Sequence, residues 1–410
     1  MSFTKKLNKP LRIAENVVFL CGFVFIMYSL ISTYGVYMYR SIKGEGYLGA
    51  ILDPIKTHLY YVSAVSIVII VNATLVLWEI MVFIVKTLKD KSHVQGKAVG
   101  YKAIFKKFSI RYKSTFLGLL ASRLLPKVFL VHMFWVWLPW FQKFQFFTTG
   151  LNWYSWIYGY LCWEFSAWLF HFSSHRIRLL WCFHSPHHGP SELNMTVNWI
   201  HFFAESYYST FVRLLVLIPF GVNQGMFLAI ISIDAAWGIF IHVSEDALKD
   251  GRLGFLRHLV ITPSHHRVHH AKNHLYLDTN FANVLPVWDW VMGTLQPIRE
   301  EIKAEYGIMR ELDVTNFSDL YFGELLLLWR DIKNADGIRN KFLHIFMPPG
   351  WTPLSTEKTA LVLRQKFLET NPELGLTSRE RIVTSLKSRF SGDKLQDEPD
   401  ATTIPGIEIK

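Results

Sequence analysis

The sequence predicts an all-α fold: a polytopic membrane helical bundle of about four to six membrane segments, followed by a mostly helical C-terminal extension. Composition is the first ground. Of 410 residues, 51% are hydrophobic and 16% aromatic, only 18% are charged, and mean hydropathy is positive. That is little charge for a soluble chain of this length. Apolar runs of membrane length and the distribution of basic residues are the second and third grounds.

Residues 16–38 (NVVFLCGFVFIMYSLISTYGVYM) are long enough to cross a bilayer, as is the run from Leu59 to Val85. The first is a span rather than a signal peptide, because its apolar stretch exceeds an h-region and no small-residue cleavage site follows. Less regular segments follow at 128–147, broken by Pro139, and at Leu151–Phe172. Phe211–Val243 reads as two short passes or a re-entrant hairpin turning at Pro219-Phe-Gly221. Aromatic-rich stretches such as FWVWLPWFQKFQFF read as interface belts before they read as a lipid channel.

Basic residues set the orientation. The head MSFTKKLNKPLR and the loop Lys86–Lys127 are rich in Lys and Arg, which places both, and hence the N-terminus, on the cytoplasmic side. A topology determinant of this kind accounts for the net charge of +11, so no nucleic-acid partner is implied. The loop also suits anionic headgroups of the bilayer. Three cysteines, Cys21, Cys162 and Cys182, without CxxC spacing, read as buried thiols. Beyond about Gln296, EEIKAEYGIMRELD, TEKTALVLRQKFLETNPELG and LTSRERIVTSLKSRF read as water-facing helices, ahead of a frayed tail. No chemistry is assigned to that region.

Seventeen histidines are the unusual count, most of them between 171 and 274. HFSSH supplies His171 and His175, about 40° apart on one helical face. HSPHH supplies His184, His187 and His188, with Pro186 working against an ideal helix. SHHRVHH follows a helix start, Thr262 as cap and Pro263 at the first position. Within it His266, His269 and His270 share an arc of about 100°, which adding His265 widens to about 140°. His266 is therefore the candidate ligand and His265 its neighbour or substitute.

Eight imidazoles near a membrane surface need partners, because buried polar groups without them are costly. All-imidazole ligation suits iron, zinc, copper or nickel rather than calcium or magnesium. The number exceeds what one tetrahedral zinc uses, so two metals are implied. Structural zinc and haem use fewer histidines, which leaves a dinuclear site open to substrate. His242, alone in WGIFIHVSED, reads by spacing as an interfacial histidine. His258 and His274 read as surface residues, and His201 lies close to the second box.

The order HxxxH, HxxHH, a lone His, then HxxHH resembles the fatty acid hydroxylase and sterol desaturase superfamily of integral membrane di-iron enzymes. TPSHHRVHH and DTNFANVLPVWDWVMGT are similar to its third box, most of all in the alkylglycerol monooxygenase branch and its bacterial relatives. The likeness covers about residues 155–297. It implies a helical membrane bundle with a cytosolic cap holding two Fe ions, using O2 and two electrons to hydroxylate or desaturate a fatty acyl, sterol or ether lipid. Carried over, the ligands are His171, His175, His184, His187, His188, His242, His266, His269 and His270. Phe172, Ile200, Phe281 and Ala282 depart from the family pattern beside the ligands, not on them.

Glu164, on the face of His171, is either a carboxylate behind a ligand or a lipid-edge residue. Asp234 suits helix pairing. Asp278 and Asp289, which recur with this box in relatives, are placed to orient ligands or their loop. No dinucleotide or c-type haem motif occurs, so electrons must come from outside: a reductase, a small electron carrier or a reduced pterin. The layout that follows is 1–150 as N-terminal membrane segments with a basic loop, 151–297 as the catalytic unit and 298–410 as a C-terminal cytosolic extension. Two other readings, a membrane dizinc hydrolase and a non-catalytic metal-binding membrane protein, share the ligands but need no electrons.

Overall fold

The computed structural model describes residues 72–86, 112, 113, 117, 136–314 and 316–375. Among them the secondary structure is helical with isolated bridges only. Helix α1 covers 72–86, and α2 is a short turn of helix, Leu138–Gln142, with Pro139 in its first turn. The long helix α3, Trp153–Arg176, starts where the Asn152 side chain accepts the Ser155 N–H at 3.0 Å. It stops at Ile177, whose φ of −117° and ψ of 120° are extended. That one residue turns the chain into α4, Arg178–His188, which packs back on α3. Helix α4 runs through Pro186, so the reservation raised by that proline does not hold and its three histidines keep helical spacing.

The 211–243 region resolves into two short helices, α5 (Glu205–Leu217) and α6 (Phe227–Ile241). The turn between them contains the predicted Pro-Phe-Gly. Gly221 sits there at φ 65°, and a Cβ on it would lie 2.4 Å from the Phe147 carbonyl oxygen. Helix α7, Pro263–His269, begins at Thr262 with Pro263 at its first position, as the sequence indicated. A short α8, Val287–Val291, closes the stretch.

Beyond it, residues 300–313 are turn and extended chain rather than the expected helix. Their polar backbone is spent on a neighbour instead: Lys272 N–H donates to Glu305 O at 2.7 Å, and Tyr306 pairs with Ala271. Helices α9 (Phe317–Asn334), α10 (Gly337–Phe346), α11 (Ala360–Thr370) and α12 (Pro372–Gly375) complete the described chain. Helix α9 packs along α4, burying Leu320 against Leu193, Val197 and Ile200.

Among the described residues no helix is long and apolar enough to cross a membrane. Helix α3 has the length, 24 residues, but carries Glu164, Ser166, Ser173, Ser174 and two histidines. The expected span at 16–38, residues 59–71 of the second, nearly all of the basic loop and the tail after 375 lie outside the described residues. Helix α1 is anchored by Glu79, fully buried, whose two oxygens accept the Met195 N–H at 2.7 Å and the Ser244 N–H at 2.6 Å. Those loops flank the histidine-bearing segments.

Candidate metal centre

Four segments meet to place the histidines. The C-terminal half of α3 brings His171 and His175, and α4 brings His184, His187 and His188. The residue after α6 brings His242, and α7 with its C-cap brings His266, His269 and His270. The nine form two groups whose ligand-capable atoms lie within 4.8 Å of one another inside each group. The first holds His171, His175, His184, His188 and His269; the second holds His187, His242, His266 and His270.

In the first group the His184 Nε2 lies 3.1 Å from both His171 Nε2 and His188 Nε2. In the second, His242 Nε2 lies 3.2 Å from His187 Nε2 and 2.8 Å from His266 Nε2, which is 3.0 Å from His270 Nε2. The groups adjoin through the stacked rings of His188 and His270, 4.3 Å between centroids.

Six of the nine rings are fixed from behind by an oxygen at Nδ1. Carbonyls accept from His171 (Phe281 O, 2.8 Å), His187 (Val197 O, 3.2 Å), His269 (Thr279 O, 2.8 Å) and His242 (Gly238 O). Carboxylates accept from His184 (Glu205 Oε1, 2.7 Å) and His175 (Asp278 Oδ1, 3.3 Å). A carbonyl can only accept, so the proton sits on Nδ1 and the Nε2 lone pair points inward. That is the arrangement by which metal-bound histidines are oriented.

Burial, reinforced by neighbouring imidazoles, presses His175, His187, His188, His266 and His270 well below the ordinary histidine value, and burial holds His269 at about 3. These rings are neutral at pH 7. The Nε2 atoms of His175 and His269 are buried with no hydrogen-bond partner, a costly condition that an ion relieves. Neutral imidazoles, inward lone pairs and unpartnered buried nitrogens fit a pair of transition-metal ions.

His265 belongs to neither group. Its Nδ1 accepts the Thr262 N–H at 3.2 Å in a capping box, so its lone pair is used at the start of α7. His258 and His274 are exposed. His201 is drawn in: it stacks on His187 at 4.5 Å and shares Glu205 with His184, its Nδ1 2.9 Å from Oε2.

Glu205 is a residue that sequence reasoning missed. Burial alone would raise its carboxyl, and the imidazoles of His201 and His184 outweigh burial, holding it at about 2. The only hint in the sequence is its spacing four residues after His201. Arg267 was passed over as well, although its guanidinium donates to the carbonyls of Val243, Leu248 and Lys249 after His242. Asn280, in the left-handed region at φ 57°, gives its side-chain amide to His265 O and Gln296 O and accepts the Gln296 N–H. It locks α7 to the chain after α8.

The carboxylates divide by task. Asp278 reaches a ligand candidate, and burial pushes it up to about 6 against the pull of Arg176 and Arg364. Asp289 holds the loop, accepting the N–H groups of Phe281 and Ala282 at 2.9 and 2.8 Å. Glu164 is neither at a lipid edge nor behind a histidine: its Oε2 accepts the Val284 and Leu285 N–H groups. Asp234 accepts from Asn283 and lies 3.9 Å from Arg213 of α5, which pairs the helices.

Residues 156–294 match the family Fatty acid hydroxylase, inside the 155–297 stretch where the likeness was expected. Among curated proteins, the chain is 30% identical to alkylglycerol monooxygenase of Danio rerio over 48% of this chain and 43% of that one. It is 27% identical to alkylglycerol monooxygenase of Homo sapiens over 59% and 49%, respectively. With ornithine lipid hydroxylase of Rhizobium tropici the identity is 27% over 37% and 45%. The matched region spans less than half the length of each of these relatives. No solved structure matches. Histidine boxes, third-box sequence and matched stretch coincide, and across residues 156–294 the chain carries a fatty acid hydroxylase domain.

Proposed function

We propose that the chain is a membrane-bound di-iron oxygenase that hydroxylates, or desaturates, a lipid with O2 and two electrons. The observation that carries the reading is the pairing of two all-imidazole groups, five and four rings, side by side. One ion would be held by His171, His175, His184, His188 and His269, and the other by His187, His242, His266 and His270. When bound, an iron pair supplies the redox chemistry that couples O2 reduction to oxidation of a C–H bond.

The chain's own residues do the rest. Backbone carbonyls with Glu205 and Asp278 hold six rings in one tautomer, so the lone pairs are set before any ion arrives. Burial of eight of the nine rings keeps water from the centre. Electrons come from a separate donor, a reductase, a small electron carrier or a reduced pterin. Residues 151–297 form the catalytic unit, between the N-terminal membrane segments and the 298–410 extension.

The lipid substrate is supported by the names of the relatives. The membrane setting is supported by an exposed apolar surface that includes Trp140, Phe144, Phe146, Phe147, Trp153 and Tyr154. The basic segments support a cytoplasmic N-terminus, and the metal site is read on the same side.

Metal analysis of anaerobically purified full-length protein, with O2 uptake measured in the presence of lipid and reductant, tests the reading. Two irons per chain and lipid-dependent uptake that His269→Ala abolishes are expected. Zinc alone, with no uptake after reconstitution with ferrous iron, would overturn it in favour of a hydrolase.

A further inference from the structure

A cavity of about 650 Å³ lies between the histidine-bearing helices and the C-terminal extension, and His175, His188 and His269 line it. All three belong to the five-ring group, and no ring of the other group lines the cavity. Its size falls within the roughly 300–1,000 Å³ of small-molecule sites. Much of the wall is chain from Met347 to Leu363, including Pro348, Trp351, Leu361 and Val362, with Trp181 from α4 and Leu327 from α9. This wall lies beyond the 156–294 stretch that matches the family.

The wall is largely apolar, and its arginines are paired, Arg178 also with Asp331 at 3.6 Å and Arg310 also with Asp319 at 3.1 Å, so the surplus charge rests on two lysines. Arg176, Arg178, Lys272, Arg310 and Lys358 line the cavity against only two carboxylates, Asp278 and Glu324. Both carboxylates are already engaged: Asp278 Oδ2 by Arg176 Nε at 3.3 Å, and Glu324 Oε1 by Arg310 Nε at 2.7 Å. The ammonium groups of Lys272 and Lys358 make no ion pair among the described residues. An apolar chamber with surplus positive charge and a floor of histidines matches an amphiphile with an oxyanion at one end.

We propose that this cavity seats the anionic end of the lipid substrate: a phosphate or carboxylate held by Lys272 and Lys358, with the adjoining chain against Trp351, Leu361 and Val362. The proposal deepens the oxygenase reading and rests on it for the reacting centre, but not for binding. A neutral head would leave the surplus positive charge unanswered. The extension, to which the sequence assigned no chemistry, thereby selects the substrate.

Equilibrium binding to the purified full-length protein tests this, with three probes: oleoyl lysophosphatidate, monooleoylglycerol and inorganic phosphate. Lysophosphatidate is expected to bind about tenfold or more tightly than monooleoylglycerol. In the double variant Lys272→Gln/Lys358→Gln that preference should shrink by about tenfold while affinity for the neutral lipid stays within about twofold. Val362→Trp should weaken both lipids, and its melting temperature reports whether it folds. Equal affinities for the two lipids, or a double variant that discriminates as the wild type does, would overturn the proposal. Inorganic phosphate binding as tightly as lysophosphatidate would show a site for the free anion and overturn the lipid assignment. Because binding is read without turnover, anionic preference in a protein that holds only zinc would sink the oxygenase reading and leave the chamber standing. Iron and O2 uptake without that preference would do the reverse.

Discussion

In SHHRVHH the arginine is as buried as the histidines around it: Arg267 is 1% exposed. Its fork reaches Lys249 O at 2.9 Å and Val243 O at 3.1 Å, and it contacts Leu248 O. Gly251, at φ 65°, gives it room, since a Cβ there would stand 2.7 Å from Nη1. The contact ties the chain just after His242 to the helix that carries His266 and His270, all three in one imidazole group. A lysine has one ammonium and cannot serve three carbonyls at these angles. Arg267→Lys is therefore expected to cost about 2–3 kcal/mol, read by thermal or denaturant unfolding, and to lower metal content. The adjacent pair of histidines offers a sharper comparison. His265 caps α7 in the place that a Gln ordinarily fills, so His265→Gln should keep both metal ions and the wild-type melting temperature. His266→Gln should lose about one metal ion per chain. Metal stoichiometry by mass spectrometry decides, and equal loss in both variants would contradict the two-group arrangement.

Among the elements, α4 carries three of the candidate ligands and has a close neighbour. At its end Gly189 has an ordinary helical φ of −67°, so freedom of backbone is not why a glycine stands there. Space is. A Cβ would meet Leu320 Cδ1 of α9 at 2.1 Å and Leu312 Cδ2 at 3.0 Å, and Leu320 is itself packed in the core. Gly189→Ala is expected to destabilise by about 1–3 kcal/mol. The penalty should shrink in a Leu320→Ala background, because neighbours that share one volume are not additive. Equal penalties in the two backgrounds would place the conflict elsewhere.

The legibility of the elements follows from how local their signals are. Thr262-Pro263 announced α7, and Pro219-Phe-Gly221 announced the turn between α5 and α6, because caps and turns are written in adjacent residues. The His266 arc was legible for the same reason. EEIKAEYGIMRELD read as helix by composition, but its backbone pairs with 271–272, a partner about 30 residues away that composition does not reveal. Glu205 behind His184 and the 347–363 wall beside His175 depend on approaches across 21 and more than 170 residues, and no periodicity records those.

At the scale of the whole molecule, a chain with a net charge of +11 folds around a centre of neutral rings. His175, His187, His188, His266, His269 and His270 all titrate below the ordinary histidine value in the folded state, chiefly through burial. In the unfolded chain they titrate near 6.5. Between those values the unfolded state binds more protons, so folded stability is fully present above about pH 6.5 and is lost as pH falls below it. Each such ring contributes a slope of up to about 1.4 kcal/mol per pH unit, and six acting together make the loss steep. Metal-stripped protein is thus expected to hold a level melting midpoint from pH 8 to 7 and to fall sharply between 6.5 and 5. Ferrous or zinc ion should raise the midpoint at pH 7.5, since a ligand that binds only the folded form stabilises it by mass action. That gain should shrink on acidification, as protons compete for the same lone pairs. Melting curves across this range, with and without metal, give the answer. A midpoint that stays level to pH 5.5 in stripped protein would mean that water reaches the rings, and a centre open in that way could not hold two ions in the grouping described.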